Sequence, residues 1–543
     1  MHRMYQFTQL ISNTAASLPF DIWKLSDPYI KPLKVNQFSI GYAYDTENRA
    51  YNFSADGYYK TFKDIIEYKN GAELFLQLNI ESQLIPAKGF AYGIELAIHK
   101  NNGPLKGSLN YTFSRAKRKT EAKYVFDNIN NGDYFPSNFD RPHMVNLTTN
   151  YKLNKKWGVG LFFTYQTGRP LTRPTGKLDV NGETFFTFSD RNAYRVPDTH
   201  RMDFSVNYNA TGNPDTAWKG SWSFGLYNVY GRKNTFSEFT IYEDNKVRNF
   251  QFSVLGGAYP FITYNFKFMK QLKIIPLILA CMLFTQCVKE IPMEDNFEAE
   301  IVIVGQLLND TNHCEVRVQE SVSLFNTEFN GIESASISVY SENATGENLL
   351  ITNAFTEQGN GSYSSNLPID PVSGDYYWIE VLLEDGRVFM SEKTKLKPVV
   401  TINSITKRLG FDDSTLYNFI FSDPVDENNF YILRVLFGED PITIAASDVV
   451  FNGNETASIE VENYYYNQTV LVKAKMQNVN YFTYQYYINL LSQSNTNNGD
   501  FSPELLFAPP SVNLLGNIVE KHTNRRVLGV FTVAYTSEKI VNL

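Results

Sequence analysis

The sequence predicts an all-β protein in two parts, and three observations carry that prediction. Segments ahead of residue 269 alternate polar and apolar residues with a period of two. After residue 297, short β-branched and aromatic runs are separated by Gly, Asn, Asp and Pro clusters. The composition agrees: Tyr (35) and Phe (41) are abundant and only 20% of residues are charged, which favours pleated surfaces over helices. Three cysteines make no disulfide framework, and no pair has zinc-ligand spacing.

The formal charge of -8 hides an asymmetry: roughly +9 up to Phe268, about +2 to Cys287 and roughly -19 beyond it. Two modules of separate history explain such a contrast. An acidic second half excludes nucleic acid as a partner, because phosphate contacts need a basic face. The Lys and Arg of the first half are scattered, not gathered in a stripe.

Alternation is plain in LKGSLNYTFS, where Leu105, Gly107, Leu109, Tyr111 and Phe113 oppose Lys106, Ser108, Asn110, Thr112 and Ser114. YGIELAIH, MVNLTTNYK and RMDFSVNY repeat it. A soluble antiparallel sandwich and a membrane barrel both fit this pattern, and alternation alone favours the sandwich. Connection lengths reverse the ranking. Short turns near 45–49, 101–104, 154–156 and 210–216 take turns with long polar stretches near 61–89, 115–143, 167–200 and 231–257. That parity belongs to a membrane barrel with tight periplasmic turns and long outer loops.

Strands are expected near 37–44, 50–60, 90–99, 105–114, 144–152, 157–166, 201–208, 219–230 and 258–268. The last puts Ile262, Tyr264, Phe266 and Phe268 toward lipid, with Phe268 as an aromatic terminal residue of the kind barrel-assembly machinery reads. Nine crossings are odd where bacterial barrels are even, and residues 1–36 carry no signal peptide. The expectation is a barrel incomplete at its amino end, since an open edge in lipid is costly.

The stretches LPFDIW, IKPLKVNQFSIGY, GFAYGIELAIHK, LNYTFSRA, NFDRPHMVNL, TYQTGRPLT, RNAYRVPDTHRMDFSVNY, LYNVYGRKN and YPFITYNFKF resemble the carboxy-terminal barrel of Bacteroidetes-type TonB-dependent outer-membrane receptors. The resemblance covers nearly all of residues 18–268. It implies the last nine or so strands of a barrel of about 22, a nutrient ligand and a TonB system as partner. The plug and TonB-engaging motif of complete members lie outside these stretches, so the expectation is a receptor part not competent alone. At the barrel rim, Asp140, Arg141 and His143 stand where a loop re-enters the membrane. Pro142 suits a strand start, and Asp140 and Arg141 can tie the rim through charge-assisted bonds. Metal binding by His143 or His200 is disfavoured, because no ligand spacing surrounds them. Trp23 and Tyr29 read as packing in an outer loop.

After Phe268 comes MKQLKIIPLILACMLFTQCVKEIP. Its basic start and eleven-residue apolar run from Ile274 to Phe284 are too short for the ~20 residues a membrane span needs and fit a signal segment, 269–287. The segment resembles a lipoprotein signal, which implies lipidation at Cys287. Cys281 is the alternative, with a better small neighbour but a much shorter signal. A buried core segment with two inert cysteines is the bland reading. An internal signal suggests two adjacent reading frames joined end to end.

In residues 288–543 the runs EIVIVGQL, CEVRVQ, ASISVY, YYWIEVLL, VVTINSI, YNFIFS, FYILRVLF, SIEVEN and TVLVKAKM predict a β-sandwich-rich module. One helix is expected near 480–493, with Tyr484, Tyr487, Ile488 and Leu491 on its apolar stripe. CVKEI, AEIVIVGQLLND, GDYYWIEV, YFTYQYYINLLSQ, FAPPSVNLLGNI and RRVLGVFTVAYTSE resemble an uncharacterised lipoprotein family, domain of unknown function 4249. That resemblance implies location and company, not chemistry. No nucleophile elbow, metalloprotease helix, phosphate loop or EF-hand spacing occurs, so no enzyme and no cofactor are expected. Asp412, Asp413, Asp423, Asp426 and Glu427 read as solvated turns ahead of a cation site, and Tyr464, Tyr465 and Tyr466 as strand core ahead of an exposed contact.

Together these readings give an outer-membrane nutrient-uptake receptor part joined to a surface or periplasmic lipid-anchored companion. Outer-membrane lipid, an intact TonB-dependent receptor and an unidentified nutrient are its partners. The alternative is an adhesion or structural lipoprotein carrying a nonfunctional barrel remnant.

Overall fold

The computed structural model describes residues 7–10, 22–26, 30–70, 72, 84–122, 127–209, 218–243, 246–253, 256–268, 287–291, 297–326, 328–409, 415–425, 428–448, 453, 456–463, 471–496 and 512–543. The chain forms two compact units. One comprises Met1–Arg173, Ser189–Glu294 and Gly499–Pro510; the other comprises Pro174–Phe188, Asp295–Asn498 and Ser511–Leu543.

The first unit is dominated by one antiparallel sheet. Its strands are β1 (Lys34–Asp45), β2 (Tyr51–Tyr68), β3 (Leu84–Lys100), β4 (Leu105–Thr120), β5 (His143–Lys152), β6 (Trp157–Gln166), β7 (Thr199–Asn209), β8 (Trp218–Tyr227) and β9 (Tyr259–Phe268). They lie side by side in chain order, with the short strand Phe135–Pro136 beside β4. These are the nine crossings that alternation predicts, in an up-and-down barrel sheet.

Local chemistry sets the short turns. The side chain of Asn154 accepts from the backbone N–H groups of Lys156 (2.8 Å) and Trp157 (2.9 Å), folding the chain back between β5 and β6. Gly103, at φ 88°, turns β3 into β4 where a side chain would be strained. The turn expected at 210–216 lies outside the described residues.

β2, β3 and β4 run 18, 17 and 16 residues, well beyond the ~9–11 that a tilted strand needs to cross a bilayer. The long outer stretches are therefore partly strand. The last of them adds its own hairpin, Thr235–Glu243 with Lys246–Ser253, and Cys287–Ile291 pairs antiparallel along its second arm.

In the second unit, an eleven-stranded sheet joins neighbours far apart in sequence. Ile301–Leu308 lies parallel to Arg526–Ala534 and antiparallel to Cys314–Glu320. Ile303, Val316, Val339, Ile379 and Phe531 share its core. A second lobe packs a three-stranded sheet (Ile402–Leu409, Thr415–Phe421, Ala457–Asn463) against a four-stranded one (Asp440–Ser447, Phe430–Phe437, Leu471–Val479, Thr536–Asn542). Helix α1 spans Tyr481–Thr496, and the side chain of Asn480 caps it by accepting from the N–H of Thr483 at 2.8 Å. The expected apolar stripe is only half-buried. The buried stripe is Thr483, Tyr486, Asn489 and Gln493, and its Gln493 hydrogen-bonds the backbone of Phe186 and Val512.

The hairpin Pro174–Val180 and Glu183–Phe188 is the main departure from the expected boundaries. A division at residue 268 leaves it with the barrel, yet it packs in the second unit.

Candidate functional site

Two features of the first unit are arranged for function: the outward face of the sheet and the polar rim at its long-loop end. Alternation places Tyr92, Ile94, Leu96 and Ile98 of β3 on one face, and all four are exposed. Register carries that face across the sheet: Leu96 stands opposite Ala55 and Tyr111, Tyr111 opposite Val145, and Val145 opposite Tyr165. The other face is polar, with Thr164 donating to Asn146 (2.8 Å) and Ser223 to Asn207 (2.7 Å). In Thr415–Phe421 of the second unit the same period of two buries Tyr417, Phe419 and Phe421. The barrel sheet therefore has the inverse polarity of a soluble sheet, which hydrocarbon stabilises and water does not.

Aromatic side chains bound the apolar band. Tyr51, Tyr151, Trp157, Tyr208, Trp222 and Tyr264 stand near the short-turn end, with ring centroids 4.7 Å apart in Trp157–Tyr208 and 4.6 Å in Trp222–Tyr264. Tyr59 and Tyr92 face each other in register toward the opposite end. Amphipathic rings favour the headgroup level on both sides of a bilayer. The sequence is rich in aromatic residues, but only register assembles them into this girdle.

At the long-loop end, two buried carboxylates gather arginines from distant segments. The side chain of Asp140 is fully buried; it accepts from the backbone N–H of Ala116 (2.7 Å) and from Arg115 (3.3 Å), and pairs with Arg195, 55 residues on. Glu67, at the end of β2, pairs with Arg118 (2.6 Å) and Arg191 (3.5 Å). Arg191 also donates to the carbonyl of Tyr68 (2.9 Å) and the side chain of Asn70 (2.5 Å). Burial pushes the Arg191 guanidinium down to about 10, against the pull of Glu67, so it stays charged at neutral pH. Arg141 donates to Gln166 and not to Asp140; His143 shares a 2.9 Å hydrogen bond with Tyr111. The rim motif thus splits three ways. These bonds knit outer segments together.

A family model described as TonB dependent receptor-like, beta-barrel matches residues 3–229, and a second, Domain of unknown function (DUF4249), matches residues 288–540. The chain joins a TonB-dependent receptor β-barrel region to a DUF4249 domain. The barrel family places it in the outer membrane in a receptor-like role. A search of curated proteins returned no match.

In the DUF4249 domain the remaining expected sites are structural where they are described. Asp423 is buried and accepts from Tyr431 and from the N–H of Gly453 (2.7 Å). Asp412, Asp413, Asp426, Glu427, Tyr29, Cys281 and Tyr464 to Tyr466 lie outside the described residues. Among the described residues, no three His, Cys, Asp or Glu side chains come together as metal ligands. The backbone of Phe268 pairs with Trp218 and that of Cys287 with Ser253.

Proposed function

We propose that the chain serves nutrient uptake at the outer membrane, with the DUF4249 domain as a lipid-anchored companion that helps capture ligand and has no catalytic step of its own. The inverted polarity of the barrel sheet, bounded by aromatic rings, is the observation that carries this reading. A wall of that kind serves passage or reception at a bilayer.

The pairing of Cys287 with Ser253 supports acylation on the outer side. Ser253 belongs to the hairpin between β8 and β9, a long connection, whereas Phe268 pairs at the start of β8, the short-turn end. An acyl chain on Cys287 fits that placement.

Radiolabelled palmitate should enter the native protein and be lost in Cys287→Ser. In the host, deletion of residues 288–543 should lower uptake of at least one member of a panel of siderophores, glycans, peptides and vitamins. Unchanged uptake across the panel ends the capture role.

A further inference from the structure

We propose that the DUF4249 domain is a β-hairpin receptor, and that its partner is the hairpin Pro174–Phe188 carried between two strands of the receptor barrel. The inference goes beyond nutrient capture and stands or falls without it.

The hairpin can form before it binds. Its arms pair in register from Lys177–Phe186 to Val180–Glu183 and close through Asn181 and Gly182, both at positive φ (55° and 88°). Asn-Gly in that geometry is the strongest short-range hairpin signal, because its twist matches the strands. Leu178 and Phe185 stand opposite each other, and each is 1% exposed. They share a core with Val302, Tyr486, Leu514 and Val530 of the domain. A loop hairpin serving only the barrel has no reason to present this apolar pair.

Both edges of the hairpin are read through backbone. On one edge, Lys177 and Val322 exchange N–H···O bonds of 2.9 and 2.8 Å. On the other, two amide side chains take the place of a strand. Gln493 accepts from the N–H of Phe186 (3.1 Å) and donates to its carbonyl (3.3 Å); Asn513 does the same for Phe188 at 2.6 and 2.7 Å. Residues two apart present their backbone groups on the same edge, so one amide serves each. This clasp explains why polar Gln493 lies on the buried stripe of α1. It recognises a strand edge whatever its side chains, in the manner of strand addition.

Specificity comes from three further contacts. Leu178 and Phe185 fill the apolar floor. Asp179 pairs with Arg317 at 2.6 Å. Gly176 allows close approach, since a Cβ there would lie 2.7 Å from Phe297 and 2.8 Å from the carbonyl of Val322. A partner is therefore a hairpin with an apolar residue on one arm, a glycine two residues before it and an acid directly after it. Where barrel and domain are separate polypeptides, the same contacts operate between chains.

The test uses the full chain in detergent with a protease site inserted within residues 292–296. After cleavage, the fragment from 297 should co-elute with the fragment carrying the hairpin. Gln493→Ala with Asn513→Ala, and separately Leu178→Asp with Phe185→Asp, should speed its release about tenfold or more. The second pair alters only the hairpin, so the domain keeps its own sequence. Added cyclised peptide 174–188 should displace the fragment, and the Leu178→Asp, Phe185→Asp peptide should not. Separation of the unsubstituted chain on cleavage, or co-elution unaffected by either variant pair, overturns the proposal. No nutrient is involved, so failure leaves the uptake reading standing.

Discussion

Replacing Leu96 with arginine separates a lipid-facing wall from a soluble sheet. Leu96 is 43% exposed and sits midway along β3 between Tyr92 toward one edge of the apolar band and Lys100, opposite Tyr51, at the other. If that face meets hydrocarbon, the guanidinium lies near the bilayer midplane, where an arginine on a barrel's outer face costs ~2–4 kcal/mol. At about 1.4 kcal/mol per tenfold, the folded-to-unfolded ratio falls by a factor on the order of 30 to 700. The same change on a solvated sheet surface stays within about 0.5 kcal/mol of neutral. Ala97→Arg is the control: it is the next residue, at the same depth, on the polar face. The assay is a urea titration of the chain folded into lipid vesicles, scored by heat-modifiable mobility in electrophoresis. A Leu96→Arg midpoint no lower than that of Ala97→Arg would refute the inverted polarity and return the sheet to the soluble class.

Two further outcomes follow. Cys314 is fully buried, and burial with Glu315 nearby pushes its thiol far up, so peptide-resolved alkylation should find it unmodified in native protein and modified only after unfolding. Burial, reinforced by Asp423 and opposed by the N–H of Asn429 and by Lys397, raises the Asp448 carboxyl above its usual range. Its native form therefore binds a proton that the unfolded form releases. Its contribution to stability grows as pH falls through the raised native value, is complete below the unfolded value and is lost as pH rises. Asp448→Asn should remove that part of the slope in the acidic range above the ordinary carboxylate value, in denaturant midpoints of the DUF4249 domain. An unaltered slope would show that another group titrates there.

Acid pairing at the rim shows where sequence reading stops. The NFDRPH motif marks Asp140 and Arg141 as residues able to tie the rim, which does not make them partners of each other, because adjacent residues on an extended chain point apart. Asp140 instead meets Arg115 and Arg195, and Arg141 meets Gln166. The choice depends on which loops fold over the strand ends. Likewise, α1 reads as a helix with a Tyr-Ile-Leu stripe, and its buried Gln493 becomes meaningful only beside the backbone of Phe186.

Sequence alone determined what depends on near neighbours. A period of two makes strands, and short connections alternating with long ones make an up-and-down membrane sheet. The two cues were enough to place all nine crossings and to distinguish two modules by charge and family resemblance. The Asn181–Gly182 turn was equally local, though it lay unread inside a long loop. Tertiary structure decided what depends on residues far apart: the aromatic girdle that register aligns, the parallel pairing of Ile301–Leu308 with Arg526–Ala534, and the seating of Pro174–Phe188 in the DUF4249 domain. The physical reason is common to all three. Backbone hydrogen bonds and apolar contacts are satisfied by any partner of suitable shape, so the chain's local pattern states that an edge or face must be covered, and only the folded molecule shows by what.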